Sequence, residues 1–158
     1  IAHFYKMTIS GEPNSDIPWA PLAKPLSDCT ISLLTTGGLY HKEVDQPFDI
    51  EREKNEPTWG DSSFRSIPSD VTQEQLGASH LHINTQWVLE DINRLLPIKR
   101  LKELEAAGEI GRVPPTHYSF MGFQGYPHNT AEWTNTYAPQ MIKQLKQEQV
   151  DAVLLTPA

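Results

Sequence analysis

Polar and apolar side chains alternate over Ser79-His80-Leu81-His82-Ile83, a pattern that predicts a strand with Leu81 and Ile83 on one face and His80 and His82 on the other. The same period runs through Pro115-Thr116-His117-Tyr118-Ser119-Phe120-Met121-Gly122, where Tyr118 and Phe120 oppose His117, Ser119 and Met121, and the glycine closes the segment. Thr30-Ile31-Ser32-Leu33-Leu34 reads as a first buried strand. It runs into Thr35-Thr36-Gly37-Gly38, small residues suited to a backbone that turns tightly beside a ligand. Asp151-Ala152-Val153-Leu154-Leu155-Thr156 is almost unbroken in its apolar character and predicts a strand covered on both faces. Helical spacing appears twice. Pro97–Ala107 carries Ile98, Leu101 and Leu104 on one face, with Pro97 at the first turn and Gly108 just past the end. Tyr137–Gln149 carries Met141, Ile142 and Leu145. Between the first strand and the histidine segment, His41–Asp70 is polar, acidic and broken by Pro47, Pro57 and Pro68, and reads as a long loop, functional or disordered, with Trp59, Phe64 and Ile67 as anchors.

Strands separated in this order by loops and helices predict an α/β fold, with a parallel-type sheet flanked by helices in the flavodoxin or Rossmann manner. In such sheets ligands collect beyond the carboxyl ends of the strands, and Thr35, Thr36, His82, Ser119 and Thr156 all fall at or near such ends. The last strand finishes two residues before Ala158 with no covering helix, so the sheet is expected to be incomplete at its C-terminal side, its layer finished by a further segment or a companion chain. A length of 158 residues suits one domain. We place that domain at 28–158, preceded over 1–27 by a Pro-rich extended arm holding Pro13, Pro18, Pro21 and Pro25.

Charge and cysteine content narrow the classes. A net charge of -7, from 13 basic and 20 acidic side chains, repels a phosphate backbone, and no Lys/Arg stripe offsets it, so nucleic acid is not an expected partner. Cys29 is the one cysteine, which rules out a disulfide within the chain and suits a reducing compartment. We read it as a small core filler. No apolar run has the length of a membrane span and no secretory leader is visible, so a cytoplasmic location is expected, without membrane contact. No GxGxxG or GxxxxGK[ST] pattern accompanies Gly37-Gly38, so that turn does not indicate a dinucleotide or a nucleoside triphosphate. Imidazole titrates near neutral pH, moves protons and binds transition metals. His80, His82 and His117 are therefore the candidate catalytic residues, and as a set of three they are also a candidate site for a transition metal in a lyase or hydrolase.

Several segments in order resemble the component B family of glycine, sarcosine and betaine reductases together with D-proline reductase. They are Thr35–Gly38, Gly60-Asp61-Ser62-Ser63-Phe64-Arg65-Ser66-Ile67-Pro68, Ser79–His82, Glu90-Asp91-Ile92-Asn93, the Pro97 helix with Gly108-Glu109-Ile110-Gly111, His117–Gly122, and Val150–Pro157. The resemblance implies an oxidoreductase that cleaves the carbon–nitrogen or other carbon–heteroatom bond of a small amine or amino acid. It also implies a selenocysteine or cysteine nucleophile following the segment similar to Val153–Pro157, a position this chain does not contain. The redox centre is thus expected elsewhere, on a companion chain or a missing C-terminal segment of an oligomeric assembly, and no cofactor is assigned to this chain. On that reading His80, His82 and His117 protonate the leaving amine or hold substrate, and Asp91 joins them as a catalytic residue that orients an imidazole or binds a cationic substrate nitrogen. Arg65, Asn93 and Ser119 hold a carboxylate, while Thr35, Thr36 and Gly37 supply close contacts. A non-catalytic interaction subunit of a reductase is the remaining alternative.

Overall fold

The computed structural model describes residues 20–158, so most of the expected arm at 1–27 lies outside the described residues. Its last residues form a single exposed turn, Leu26–Asp28, tied to the body by the Lys24–Asp151 ion pair at 2.8 Å.

The central sheet is built from β1 (Ile31–Thr35), β3 (Phe64–Pro68), β5 (Thr116–Phe120) and β6 (Ala152–Thr156) in the order β3-β5-β1-β6. β5, β1 and β6 are parallel, with Thr35 opposite both Ser119 and Thr156, while β3 runs antiparallel to β5. The sheet is therefore mostly parallel but mixed, and β3 arises inside the stretch that the sequence presents as loop. A two-stranded antiparallel ribbon, β2 (Leu39–His41) with β4 (Leu76–Ala78), springs from the carboxyl end of β1. Helices follow the strands: α1 (Ile50–Asn55), at the surface, and α2 (Thr85–Glu90), α3 (Ile98–Ala106) and α4 (Ala138–Gln147), which bring Val88, Ile98, Leu101, Met141 and Leu145 to the cores, the last entered through a wider π turn over Trp133–Tyr137. The α/β expectation holds.

Two cores lie on opposite faces of the sheet, as the alternation of β1 dictates. Leu33, Ile31 and Ile67 pack with Leu39, Leu76, Leu96, Ile98 and Leu101 on one side. Tyr118, Phe120, Leu34, Phe64 and Val153 pack with Met141, Leu145, Trp133 and Tyr137 on the other. Each fully buried aliphatic or aromatic side chain contributes roughly 1.5–3 kcal/mol. α3 matches its expected bounds to within one residue, starting after Pro97 and ending before Gly108, which takes the left-handed φ of +73° that stops a helix. Leu104, expected on its buried face, is 44% exposed.

Three other expectations change. The Ser79–Ile83 segment is a bent loop; the strand next to it is Leu76–Ala78, because pairing with β2 ends at Ala78 opposite Leu39. The 41–70 stretch holds α1, whose first turn is capped by the Asp49 carboxylate accepting from Arg52 N–H at 2.9 Å, and β3, paired over five residues with β5. β6 is not covered on both faces. It pairs with β1 alone among the described residues, and Leu154 and Leu155 are 50% and 64% exposed, since an apolar run records what a strand can bury and not which neighbours are there to bury it. No helix among the described residues is long and apolar enough to cross a membrane.

Candidate functional site

The carboxyl ends of the parallel strands gather the chain's polar turns. After β1 the backbone runs through Thr36 and Gly37 to Gly38, where φ is +63° and a Cβ would collide with the carbonyl of Ser79. Glycine is required there. It lets Ser79 N–H donate to Gly38 O at 2.9 Å, drawing the His80–His82 loop to the end of β1. Gly37 bridges Met121, and Gly122 N–H donates to Thr36 O at 3.0 Å, so the loop leaving β5 lies alongside.

In this loop cluster His82 is half-exposed, with 55% of its side chain accessible, whereas its partner Glu53 from α1 is only 2% exposed. His82 Nε2 and Glu53 Oε1 are 3.1 Å apart. The Phe123 ring lies 5.1 Å from the His82 ring, and His80 Nδ1 accepts the His82 backbone N–H at 3.0 Å. That acceptance fixes the neutral His80 tautomer with the proton on Nε2. Burial, and then the neighbouring His82, lowers the His80 pKa to about 4, so at neutral pH this ring is an uncharged donor. Burial pushes the Glu53 carboxyl above its ordinary value, an effect opposed by the charge and hydrogen bond of His82 and supported by Asp61. Sequence reading passed over Glu53. The signal was present: Asp49 as a helix cap puts Ile50 and Glu53 on one helical face, three residues apart.

His117 does not join this group. It is wholly buried in β5, with Leu33 N–H donating to Nδ1 at 3.1 Å and Nε2 3.0 Å from Ser69 Oγ, whose hydroxyl is bonded to Pro114 O. The network makes Nδ1 an acceptor and Nε2 a donor, a neutral ring, and burial together with Lys102 lowers its pKa to about 4. The imidazole fills the gap in the β1–β5 ladder between the Thr30–Arg112 bridge and the Leu34–Tyr118 pair. Among the described residues no three His, Cys, Asp or Glu side chains are grouped to hold a metal, so the expected set of His80, His82 and His117 is not assembled.

The remaining expected residues divide the same way. Thr35 Oγ1 donates to Thr156 O at 2.8 Å and accepts from Gly37 N–H at 3.1 Å, stitching β1 to β6. Ser119 Oγ accepts from Leu39 N–H at 2.7 Å and is buried, so it anchors β2. Arg65 is 13% exposed, lies over the Phe48 ring and donates to Gln46 O, Ser63 Oγ and Phe64 O, so its guanidinium organises the loop before β3. Asp91 accepts from the Asn93 backbone and side-chain N–H groups, and Asn93 accepts from Lys99 N–H. Asp91 and Asn93 cap turns, and their hydrogen bonds do not touch an imidazole. Thr36 stays at the rim, receiving Ala158 N–H at 3.0 Å. It also lines an apolar cavity of 310 Å³ with Leu34, Phe120, Trp133, Met141 and Leu155, where the indole N–H of Trp133 is buried without a partner.

The chain is an α/β protein with an imidazole–carboxylate pair and an apolar hollow at the carboxyl ends of its parallel strands, the region where ligands collect in sheets of this class. The family model described as glycine/sarcosine/betaine reductase selenoprotein B matches residues 5–158. The chain is 36% identical to D-proline reductase subunit gamma of Acetoanaerobium sticklandii over 138 residues, 87% of this chain and 52% of that one. It is 31% identical to glycine reductase complex component B subunit gamma of Carboxydothermus hydrogenoformans over 140 residues, 89% of this chain and 30% of that one. With betaine reductase complex component B subunit beta of Peptoclostridium acidaminophilum it shares 30% identity over 151 residues, 91% of this chain and 31% of that one. The chain belongs to the glycine/sarcosine/betaine reductase selenoprotein B family. It spans about half the length of the first of these relatives and about three tenths of the other two. No solved structure matches it.

Proposed function

We propose that this chain forms one wall of the active site of a multi-subunit reductase that cleaves the carbon–nitrogen bond of a small amine or amino acid. The family membership supports a reductase component. The observation that carries the finer reading is His82, half-exposed at the carboxyl end of the parallel strands and bonded through Nε2 to a buried carboxylate. A proton donor at that place is what the departing nitrogen needs.

In the reaction a selenolate or thiolate attacks the carbon bearing the nitrogen. A carbon–selenium or carbon–sulfur bond forms as the carbon–nitrogen bond breaks, and its electron pair leaves with the nitrogen, which takes a proton from His82. A second thiolate then attacks the selenium or sulfur, and the carbon keeps the released pair and gains a proton from water. The two electrons come from the attacking thiol or selenol and the second thiol, which end as a disulfide or a selenenyl sulfide and are returned to the reduced state by an external dithiol. The nucleophile belongs to a segment or companion chain that reaches this rim from the β6 side, where Thr156 and Ala158 meet Thr35 and Thr36. The exposed Leu154 and Leu155 of β6 support docking of that companion.

The test is turnover of D-proline, glycine and betaine by the complete assembly with a dithiol as electron donor. His82→Ala is expected to lower kcat by about 100-fold or more. Wild-type turnover in that variant removes His82 from the chemistry.

A further inference from the structure

We propose that Glu53 is a positioning residue that fixes the His82 ring for proton delivery, an inference that rests on the reading of His82 as the proton donor. α1 is a short surface helix whose neighbouring acidic side chain Glu51 is 74% exposed, yet Glu53 on the same helix is 2% exposed. A buried carboxylate is strongly unfavourable when it lacks a partner, and an apolar side chain of similar size would pack the same place without that penalty. Its hydrogen bond goes to Nε2 of a half-exposed imidazole, 3.1 Å away. That bond, the Phe123 ring at 5.1 Å and the backbone bond to His80 hold His82 at three points.

With Nε2 committed to Glu53, Nδ1 is the nitrogen left for a reacting group. Among the described residues the charged and titratable neighbours are Asp61, which acts on Glu53, His80, 5.8 Å from His82 ring to ring, and Arg94, which lines the same hollow as His82. None of these has a hydrogen bond to the His82 ring, so the carboxylate is the group that sets its orientation.

The experiment is a double-mutant cycle on the complete reductase, with kcat and KM measured separately. Glu53→Gln is expected to lower kcat by about 10- to 100-fold with KM within about twofold of wild type, the size of effect a misplaced catalytic group produces. Glu53→Asp, which keeps the charge, is expected to recover part of that loss. Added to His82→Gln, Glu53→Gln is expected to cost nothing more. Wild-type kcat in Glu53→Gln, a loss confined to KM, or a full additional loss in the double variant overturns the proposal. If Glu53→Gln does not assemble, the same cycle is run with Glu53→Asp under the same criteria, and failure of both to assemble assigns Glu53 to the core and also overturns it. The two readings separate cleanly: an active His82→Gln removes the proton donor itself, whereas an inactive His82→Gln beside an unaffected Glu53→Gln removes only the positioning role.

Discussion

His117 and His82 were equals as letters in the sequence, and the fold has made them opposites. His117 sits inside β5 with no exposure and a hydrogen-bond partner on each ring nitrogen. His82 sits on a loop held to the end of β1, one nitrogen on a buried carboxylate and more than half its side chain in contact with solvent. The difference is one of access. An imidazole whose acceptor is spent on a backbone N–H and whose donor is spent on the Ser69 hydroxyl stabilises a sheet, and one held at a single nitrogen in an open rim has a nitrogen free for chemistry.

That contrast is most sharply broken by substitution. His82→Ala in the complete reductase is expected to lose about 100-fold or more in kcat while leaving the melting temperature close to wild type. His117→Ala is expected to do the reverse. Removing it strands Leu33 N–H and opens a cavity, a loss of about 3 kcal/mol in unfolding free energy, with kcat of the folded fraction unchanged. Equal loss of kcat in both variants would erase the distinction.

Acid should expose the same contrast without mutation. The folded pKa of His117 is about 4 against 6.5 for a free imidazole, so the folded state binds its proton less readily than the unfolded one. Stability from this residue is therefore complete above pH 6.5 and is lost as pH falls from 6.5 toward 4. The full loss is about 3 kcal/mol, and the protonated ring would point an N–H at the N–H of Leu33. Denaturant unfolding at several pH values is expected to show that acid-linked loss in the wild type and a smaller one in His117→Gln, where the share of His80, whose pKa is also lowered to about 4, remains.

Gly38→Ala comes next. The left-handed φ and the contact with Ser79 O are expected to cost about 2 kcal/mol and to loosen the loop bearing His82, so kcat falls along with thermal stability. The smallest effect belongs to Asp91→Ala, an exposed cap for which kcat is expected within about twofold of wild type. A large kcat loss there would return Asp91 to the site.

Periodicity was a good guide where local pattern and burial agree. β1, β5 and α3 appear close to where alternation, Pro97 and Gly108 put them, because each buries its apolar stripe against a core that is present. It was a poor guide over 41–70, where β3 exists through five backbone pairs with β5 and α1 through one cap and one buried acid, interactions that prolines and acidic residues obscure. Ser79–Ile83 misled in the other direction. Its alternation is real, yet a strand needs an edge to pair with, and β2 begins only at Leu39, opposite Ala78.

The linear order of residues determined the α/β class, the turn at Gly37-Gly38 and the set of segments that mark the reductase family. Local chemistry and spacing are enough for these, since each is settled within a few neighbouring positions. Only the tertiary structure decided which imidazole is buried, that Arg65 and Ser119 are spent inside the fold, and that Glu53 meets His82 across 29 positions of chain. Exposure and long-range pairing depend on what the rest of the molecule brings alongside, and no window of sequence contains that.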